Sequence, residues 1–250
     1  MIDDAIPAAT LVLFRENGGA AEHLFVERAG TMSFAAGAIV FPGGRVDAGD
    51  HLLAAHFPEL DTDDAAARVA AIRETIEEAG VAVGFDTVPA ADTVAAMRVH
   101  LLDGMIFADV IAAAKLKLDL SALVCFARWC PKLHQSRNFD TRFYLARMPV
   151  TAAAASVDAT ENVRLFWGTA QSVIDDADAG RVQIIFPTRR NLERLAKLGS
   201  FDAAVEEVAT IAPDKITPVI ETRGDADYIC IPAGRGYPVT SELLTAAVRG

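Results

Sequence analysis

The segment RETIEEAGV, residues 73–81, sets Glu74, Glu77 and Glu78 at positions i, i+3 and i+4. On a helix turning about 100° per residue, those three carboxylates share one patch. Like charges so spaced cost a few tenths of a kcal/mol per pair on a bare helix. A hard divalent cation would reverse that sign, because magnesium and its relatives take oxygen ligands. The alternative is an acidic, solvated helix face beside Arg73. Upstream, FPGGRVDAGD (41–50) carries Gly43 and Gly44 at a strand exit, then Asp47 and Asp50. Glycines there permit close backbone approach, so the two stretches can be halves of one site.

The elements that must position them follow from periodicity and turn chemistry. ATLVLFRENGGAAEHLFVER (9–28) reads as two strands about a turn at Asn17-Gly18-Gly19. GAIVF (37–41) is a third strand, ending at Pro42 and the glycine pair. Residues 61–80 form a helix with Thr62, Asp63 and Asp64 as N-cap candidates and Gly80 at the left-handed position after its end. Val69, Ile72, Ile76 and Ala79 make its core-facing stripe, roughly opposite the glutamates. Residues 91–120 read as two helices hinged at Asp103-Gly104. Strands are expected at 122–130, 141–148 and 163–168, helices at 169–179, 188–198 and 201–210, and short strands near 216–221 and 227–231. This alternation predicts one mixed α/β domain over 1–250 with a helical insert at about 89–120.

Composition excludes several classes. The formal net charge of −11 argues against a broad nucleic-acid surface. Apolar runs are broken by charge too early to span a membrane, and MIDDAIPAAT lacks the basic start of a signal peptide. Cys125, Cys130 and Cys230 are too few and odd in number for a disulfide framework, which fits a reducing cytoplasmic setting. His51 and His56, five apart, are a poor zinc pair, and the Gly-x-Gly in AGRGYP (233–238) lacks the helix and third glycine of a dinucleotide fingerprint. The Met and Phe residues at 97–107 pack the insert, with a homodimer face as the alternative.

Taken together, Gly44, Asp50, Arg73, Glu74, Glu77, Glu78, Gly80 and Val81 resemble the signature of the Nudix hydrolases. In that pattern a glycine, five residues on, meets an acid, and seven residues later come Arg-Glu, an aliphatic residue and Glu-Glu before Gly. Three departures stand out. Asp50 replaces the usual glutamate, Thr75 replaces the aliphatic residue, and 22 residues (51–72) stand where seven are expected. The extra segment HLLAAHFPELDTDD (51–64) is expected to loop out at modest entropic cost. An insertion at this point, with FDTRFYLAR (139–147) and FPTRRNLERLAKLGSF (186–201), resembles the branch that includes peroxisomal coenzyme A diphosphatases. Ser33 and Ala29 stand where another coenzyme A-cleaving branch has arginine and serine, which leaves the substrate open.

The resemblance implies an α/β/α sandwich with a mixed sheet, an interrupted box over 44–81 and a pyrophosphohydrolase using Mg2+ or Mn2+. The small-molecule substrate would be a nucleoside diphosphate linked to another moiety, whether coenzyme A, acyl-coenzyme A, NADH or ADP-ribose. It makes Glu74 and Glu78 the principal metal ligands, with Glu77 beside them, the Gly43 carbonyl and Glu161 as further candidates, and Arg73 as the residue that orients a glutamate. Arg28, Arg142, Arg189 and Arg190 are the candidates for substrate phosphates; the last two open a helix, where backbone N–H groups favour anions. The competing reading is a nucleotide-sensing domain without turnover.

Overall fold

The computed structural model describes residues 5–30, 35–132, 138–149, 155–156 and 162–247. The expected hairpin is present: β1 (Ile6–Asn17) and β2 (Ala20–Arg28) turn on Gly18 and Gly19 at φ 59° and 83°. Two residues at positive φ match the right-handed twist of the strands they join. β1 and β2 are paired from Phe14 and His23 to Asn17 and Ala20, then part. β3 (Ile39–Val40) joins β2 in the gap, and β4 (Gly43–Arg45) joins β1. The strand expected at 37–41 is thus two residues long, and the glycine pair expected to end it forms a strand of its own.

β5 (Val124–Trp129), β6 (Phe139–Arg147), β7 (Asn162–Gly168) and β8 (Lys215–Ile216) complete an eight-stranded mixed sheet. Its main path runs β3-β2-β1-β6-β5-β8, with β4 on β1 and β7 on β2. β1 and β6 run parallel, as do β5 and β8.

Strand alternation divides the core in two. Leu11, Leu13, Leu24 and Tyr144 face α2 (Thr62–Ala79). Around it lie α1 (Ala48–Ala54), α3 (Ala91–Leu102) and α4 (Phe107–Ala114). Val12, Phe14, Phe25 and Leu145 face the other way, toward α5 (Ala170–Asp178), α6 (Phe186–Leu198) and α7 (Phe201–Thr210). The result is the expected α/β/α sandwich. A second, three-stranded sheet follows, ordered β11-β10-β9, from β9 (Val219–Arg223), β10 (Ala226–Cys230) and β11 (Ser241–Leu243), and the short α8 (Leu244–Ala247) closes the described chain. Among the described residues no helix is long and apolar enough to cross a membrane.

α2 is the spine of one layer. Val69, Ile72, Ile76 and Ala79 are fully buried, as the stripe predicts; each larger side chain contributes roughly 1.5–3 kcal/mol by leaving water. Its N-cap is Asp61, whose carboxylate accepts from the Asp64 amide at 3.0 Å, and not Thr62, Asp63 or Asp64. Gly80 ends it at φ 63°, its N–H donating to the Ile76 carbonyl at 2.9 Å. Thr75, standing where an aliphatic residue is usual, is fully buried and donates its hydroxyl to the Ala71 carbonyl at 2.7 Å, so no polar atom is stranded.

The segment expected to loop out, 51–64, is a turn between two helix ends. Residues 51–54 end α1 and 62–64 open α2, inside the helix expected over 61–80, while 55–61 turn between the two helices, which pack together.

Candidate active site

The parting of β1 and β2 is what creates the site. β4 fills the gap on the β1 side and lies against the C-terminal half of α2. A Cβ on Gly43 would lie 2.4 Å from the Ala9 carbonyl oxygen, and one on Gly44 would lie 2.3 Å from Glu74 Oε1. Gly43 therefore excludes a side chain because of the β1 backbone, whereas a side chain on Gly44 would have to displace the Glu74 carboxylate. The Gly43 amide donates to Glu78 Oε2 at 2.9 Å. The glycine strand and the glutamate turn, 35 residues apart, are in direct contact.

The glutamate patch is not a solvated face. Glu78 is buried, and the Glu74 and Glu77 side chains are 15% and 22% exposed. Arg73 organises it. Its guanidinium donates to Glu74 Oε1 at 2.9 Å, to Glu77 Oε1 at 3.3 Å and to the Arg45 carbonyl at 2.9 Å. From the other side it is gripped by Asp50, through Nε to Oδ1 at 3.0 Å and Nη2 to Oδ2 at 2.9 Å. Asp50 is fully buried and also accepts from the Asp47 amide at 2.8 Å, which ties the start of α1 to the same arginine. The shorter side chain of aspartate is matched by this helical approach, so the altered residue in the interrupted box remains inside the site.

Electrostatics follow from burial and carboxylate excess. Burial pushes the Glu74 carboxyl up to about 8; Arg73 pulls it down, and Glu77 and Glu78 raise it again. Burial likewise raises Glu77 above the usual range, partly offset by Arg73. Burial works to lower the Arg73 guanidinium, but the bond to Asp50 and the charges of Glu74, Asp50 and Glu77 hold it above its ordinary value. A carboxyl near 8 exchanges its proton close to neutral pH, where general acid–base chemistry operates.

The four candidate arginines do not converge. Arg28, at the end of β2, lies with Nη1 4.0 Å from Glu78 Oε1, and its buried Nε has no hydrogen-bond partner. Arg142 sits under the start of α2, 4.0 Å from Asp64; Asp64 precedes Glu74 by ten residues, about 15 Å along the axis. Arg189 and Arg190 belong to α6, the layer on the other face of the sheet. Arg189 pairs with Asp178 at 2.6 Å, and Arg190 with Glu193 at 2.7 Å and Glu242 at 3.2 Å. Glu161 lies outside the described residues.

Arg98 has no signal in the sequence beyond being a charged residue on α3. Its Nε donates to the Glu77 carbonyl at 2.8 Å and its Nη2 to the Glu78 carbonyl at 3.0 Å. A cation at that point complements the C-terminal end of α2 and anchors the glutamate turn to the helical insert.

Among the described residues no three acidic, histidine or cysteine side chains are already gathered around one point as a metal cluster: Glu74 and Glu77 face Arg73, and Glu78 faces the Gly43 amide. The donor chemistry nevertheless fits a hard cation. It consists of the carboxylate oxygens of Glu74, Glu77 and Glu78, donors of the kind such cations take.

The sheet between two helical layers, with the glutamate helix in one of them and the glycine strand apposed to it, is the arrangement expected from the resemblance to the Nudix hydrolases. No protein-family model matches the chain, and no curated protein does. Among solved structures, that of a NUDIX hydrolase from Alicyclobacillus acidocaldarius aligns with 82% of this chain and 97% of its own, at 29% identity and a TM-score of 0.71. The NUDIX domain of Shewanella oneidensis NrtR, complexed with ADP ribose, aligns with 82% of this chain and 88% of its own, at 13% identity and a TM-score of 0.44. A C. elegans Ap4A hydrolase aligns with 70% and 87%, at 18% identity and a TM-score of 0.39. The first of these likenesses indicates a hydrolase with the Nudix fold.

Proposed function

We propose that this chain is a divalent-cation-dependent pyrophosphohydrolase that cleaves a nucleoside diphosphate linked to another moiety. One observation supports it above the rest: the Gly43-Gly44 strand and the Glu74/Glu78 turn touch, through the Gly43 amide and the side-chain-free face of Gly44. Glu74 and Glu78 would hold Mg2+ or Mn2+, with Glu77 and the Gly43 carbonyl adjacent. A cation bound there would offset phosphate charge and acidify an attacking water.

The chain's own residues have separable tasks. Arg73, fixed by Asp50, holds Glu74 and Glu77 in place through charge-assisted hydrogen bonds. Arg28 offers an unused, buried Nε beside Glu78, a donor suited to a phosphate oxygen. Glu74, whose carboxyl burial holds above the usual range, would give up its proton in holding the cation, and a carboxylate of the patch left off the cation would accept a proton from water. The partial burial of the patch limits bulk water, which strengthens each of these interactions.

For the substrate, the resemblance in FDTRFYLAR and FPTRRNLERLAKLGSF favours coenzyme A or its thioesters, with NADH or ADP-ribose as the competing class. The test is a panel of coenzyme A, acetyl-coenzyme A, NADH and ADP-ribose incubated with magnesium or manganese, with products separated by chromatography. Hydrolysis of the pyrophosphate bridge in at least one, lost on chelation, is expected. Failure to cleave any of them under either metal would replace the enzyme with a nucleotide-sensing domain.

A further inference from the structure

The carbonyls of a helix's last turn must find donors beyond its own ladder. In α2 the Ile76 carbonyl takes the Gly80 amide at 2.9 Å, which leaves those of Glu77, Glu78 and Ala79. Each is met from outside the helix. Arg98 of α3 supplies two of the donors, Nε to the Glu77 carbonyl at 2.8 Å and Nη2 to that of Glu78 at 3.0 Å. The Ser156 amide supplies the third, to the Ala79 carbonyl at 2.9 Å, and the Ser156 hydroxyl accepts from Arg98 Nη1 at 2.8 Å. One guanidinium thus ties together the end of α2, the helical insert and the segment at 155–156. A Cβ on Gly80 would lie 3.2 Å from Arg98 Nη1 and 3.3 Å from the Ser156 hydroxyl oxygen, so the clamp closes over the residue that ends the helix.

The residues held in this way are the ones that carry the carboxylates. Arg73 and the Gly43 amide grip Glu77 and Glu78 by their side chains, and Arg98 grips the same two residues by their main chain. Without Arg98, two carbonyls of the last turn lose their fixed donors, and a helix end so deprived frays. A frayed turn presents its carboxylates correctly only part of the time, and apparent affinity falls by that fraction. Charge alone pulls the opposite way. Removing a cation from beside an acidic patch makes the local potential more negative and would strengthen cation binding. The two effects differ in sign, so one measurement separates them.

The geometry points to Arg98 as a positioning residue: through the main chain of Glu77 and Glu78, the helical insert sets how tightly the glutamate turn binds its divalent cation. This role rests on the cation site proposed above and gives the insert a task in it.

Calorimetric titration of Mn2+ into the wild type and Arg98→Met tests it, together with amide hydrogen exchange in chelator. Arg98→Met should bind Mn2+ at least about tenfold more weakly. Its Glu78, Ala79 and Gly80 amides should exchange at least about tenfold faster than in the wild type, with the circular dichroism unchanged. At saturating Mn2+, kcat and KM for the best panel substrate should return to within about threefold of wild type, because Arg98 meets the turn through its main chain. Equal or tighter Mn2+ binding by Arg98→Met overturns the proposal, as does unchanged exchange at those amides. A rise in KM or a loss of kcat that saturating Mn2+ leaves in place overturns it too, since Arg98 would then act on substrate or on the chemistry. Should Arg98→Met fail to fold, Arg98→Gln takes its place and is read against the same outcomes. A wild type that takes up no Mn2+ removes the cation site and this role with it, whereas uptake that is equal in wild type and variant removes this role alone.

Discussion

Two clusters of buried arginines and carboxylates lie on opposite faces of the same sheet, and they are built differently. On α2, Arg73 and Arg28 face Asp50, Glu74, Glu77 and Glu78, so carboxylates outnumber cations and Glu74 is pushed up to about 8. On α6, Arg189, Arg190 and Arg194 face Asp178, Glu193, Glu242 and Glu207, closer to one for one. Arg194 also donates to the Phe126 carbonyl at 3.1 Å and lies 4.0 Å over the Phe126 ring. The α6 cluster is nearer charge balance, yet it keeps buried polar atoms without hydrogen-bond partners, among them Arg190 Nε and Nη1, Arg194 Nη2 and Glu193 Oε2. The α2 cluster, unmatched and with a glycine strand pressed against it, is poised for a cation. Arg189 and Arg190, the phosphate candidates at a helix start, pair with Asp178, Glu193 and Glu242 on the face of the sheet away from α2.

The largest effect should come from removing charge on the unmatched side. Glu78→Gln is expected to lower turnover of the best panel substrate by at least about 100-fold while the melting temperature stays level or rises. Parental rates in that variant would mean that the glutamate turn is not catalytic. On the matched side the signs reverse. Arg190→Met leaves Glu242 without its arginine and Glu193 with Arg189 alone, and should cost roughly 3 kcal/mol in denaturant unfolding, with turnover per folded molecule unchanged. A marked loss of turnover at full occupancy of the folded state would move α6 back into the site.

A smaller effect sharpens the contact between strand and helix. Gly44→Ala places a Cβ 2.3 Å from Glu74 Oε1, so the carboxylate must shift. Turnover should fall by about tenfold, while stability changes by about 1 kcal/mol or less. Unaltered kinetics would show that Glu74 need not stay where it is.

The smallest effect is a pH slope. Glu74 binds its proton to about pH 8 in the folded chain against 4.5 as its ordinary value. Between those values the folded state holds more protons than the unfolded one, so this group makes stability fall as pH rises. In chelator, the wild type should lose stability relative to Glu74→Gln across that window, and excess magnesium should cancel the difference. Parallel profiles in chelator would remove the shifted carboxyl from the account.

Much of this was legible from residues alone, where a local rule carried the information. The hairpin at Gly18-Gly19, the buried stripe of α2 and the left-handed Gly80 each follow from turn chemistry or periodicity. The apposition of Gly43-Gly44 with the glutamates was legible through the motif despite its interruption. What stayed hidden depends on distant partners. A three-residue strand such as β4 has no periodicity to detect, and it exists because β1 and β2 diverge. The roles of Asp50 and Arg98 depend on helices α1 and α3 arriving at α2. The four arginines looked alike in sequence, and only the sheet face and the end of α2 they occupy tell Arg28 from Arg142, Arg189 and Arg190. Asp61 took the N-cap from Thr62, Asp63 and Asp64 because its neighbours had already entered the helix.

The most direct measurement is a calorimetric titration of Mn2+ into the wild type and into the E74Q/E78Q double variant near neutral pH. The wild type should bind with release of a proton, seen as a dependence of the heat on buffer ionisation, and the double variant should bind at least about 100-fold more weakly. Equal affinity in the two proteins, or a wild type that takes up no manganese, would contradict a cation site between the glycine strand and the glutamate turn.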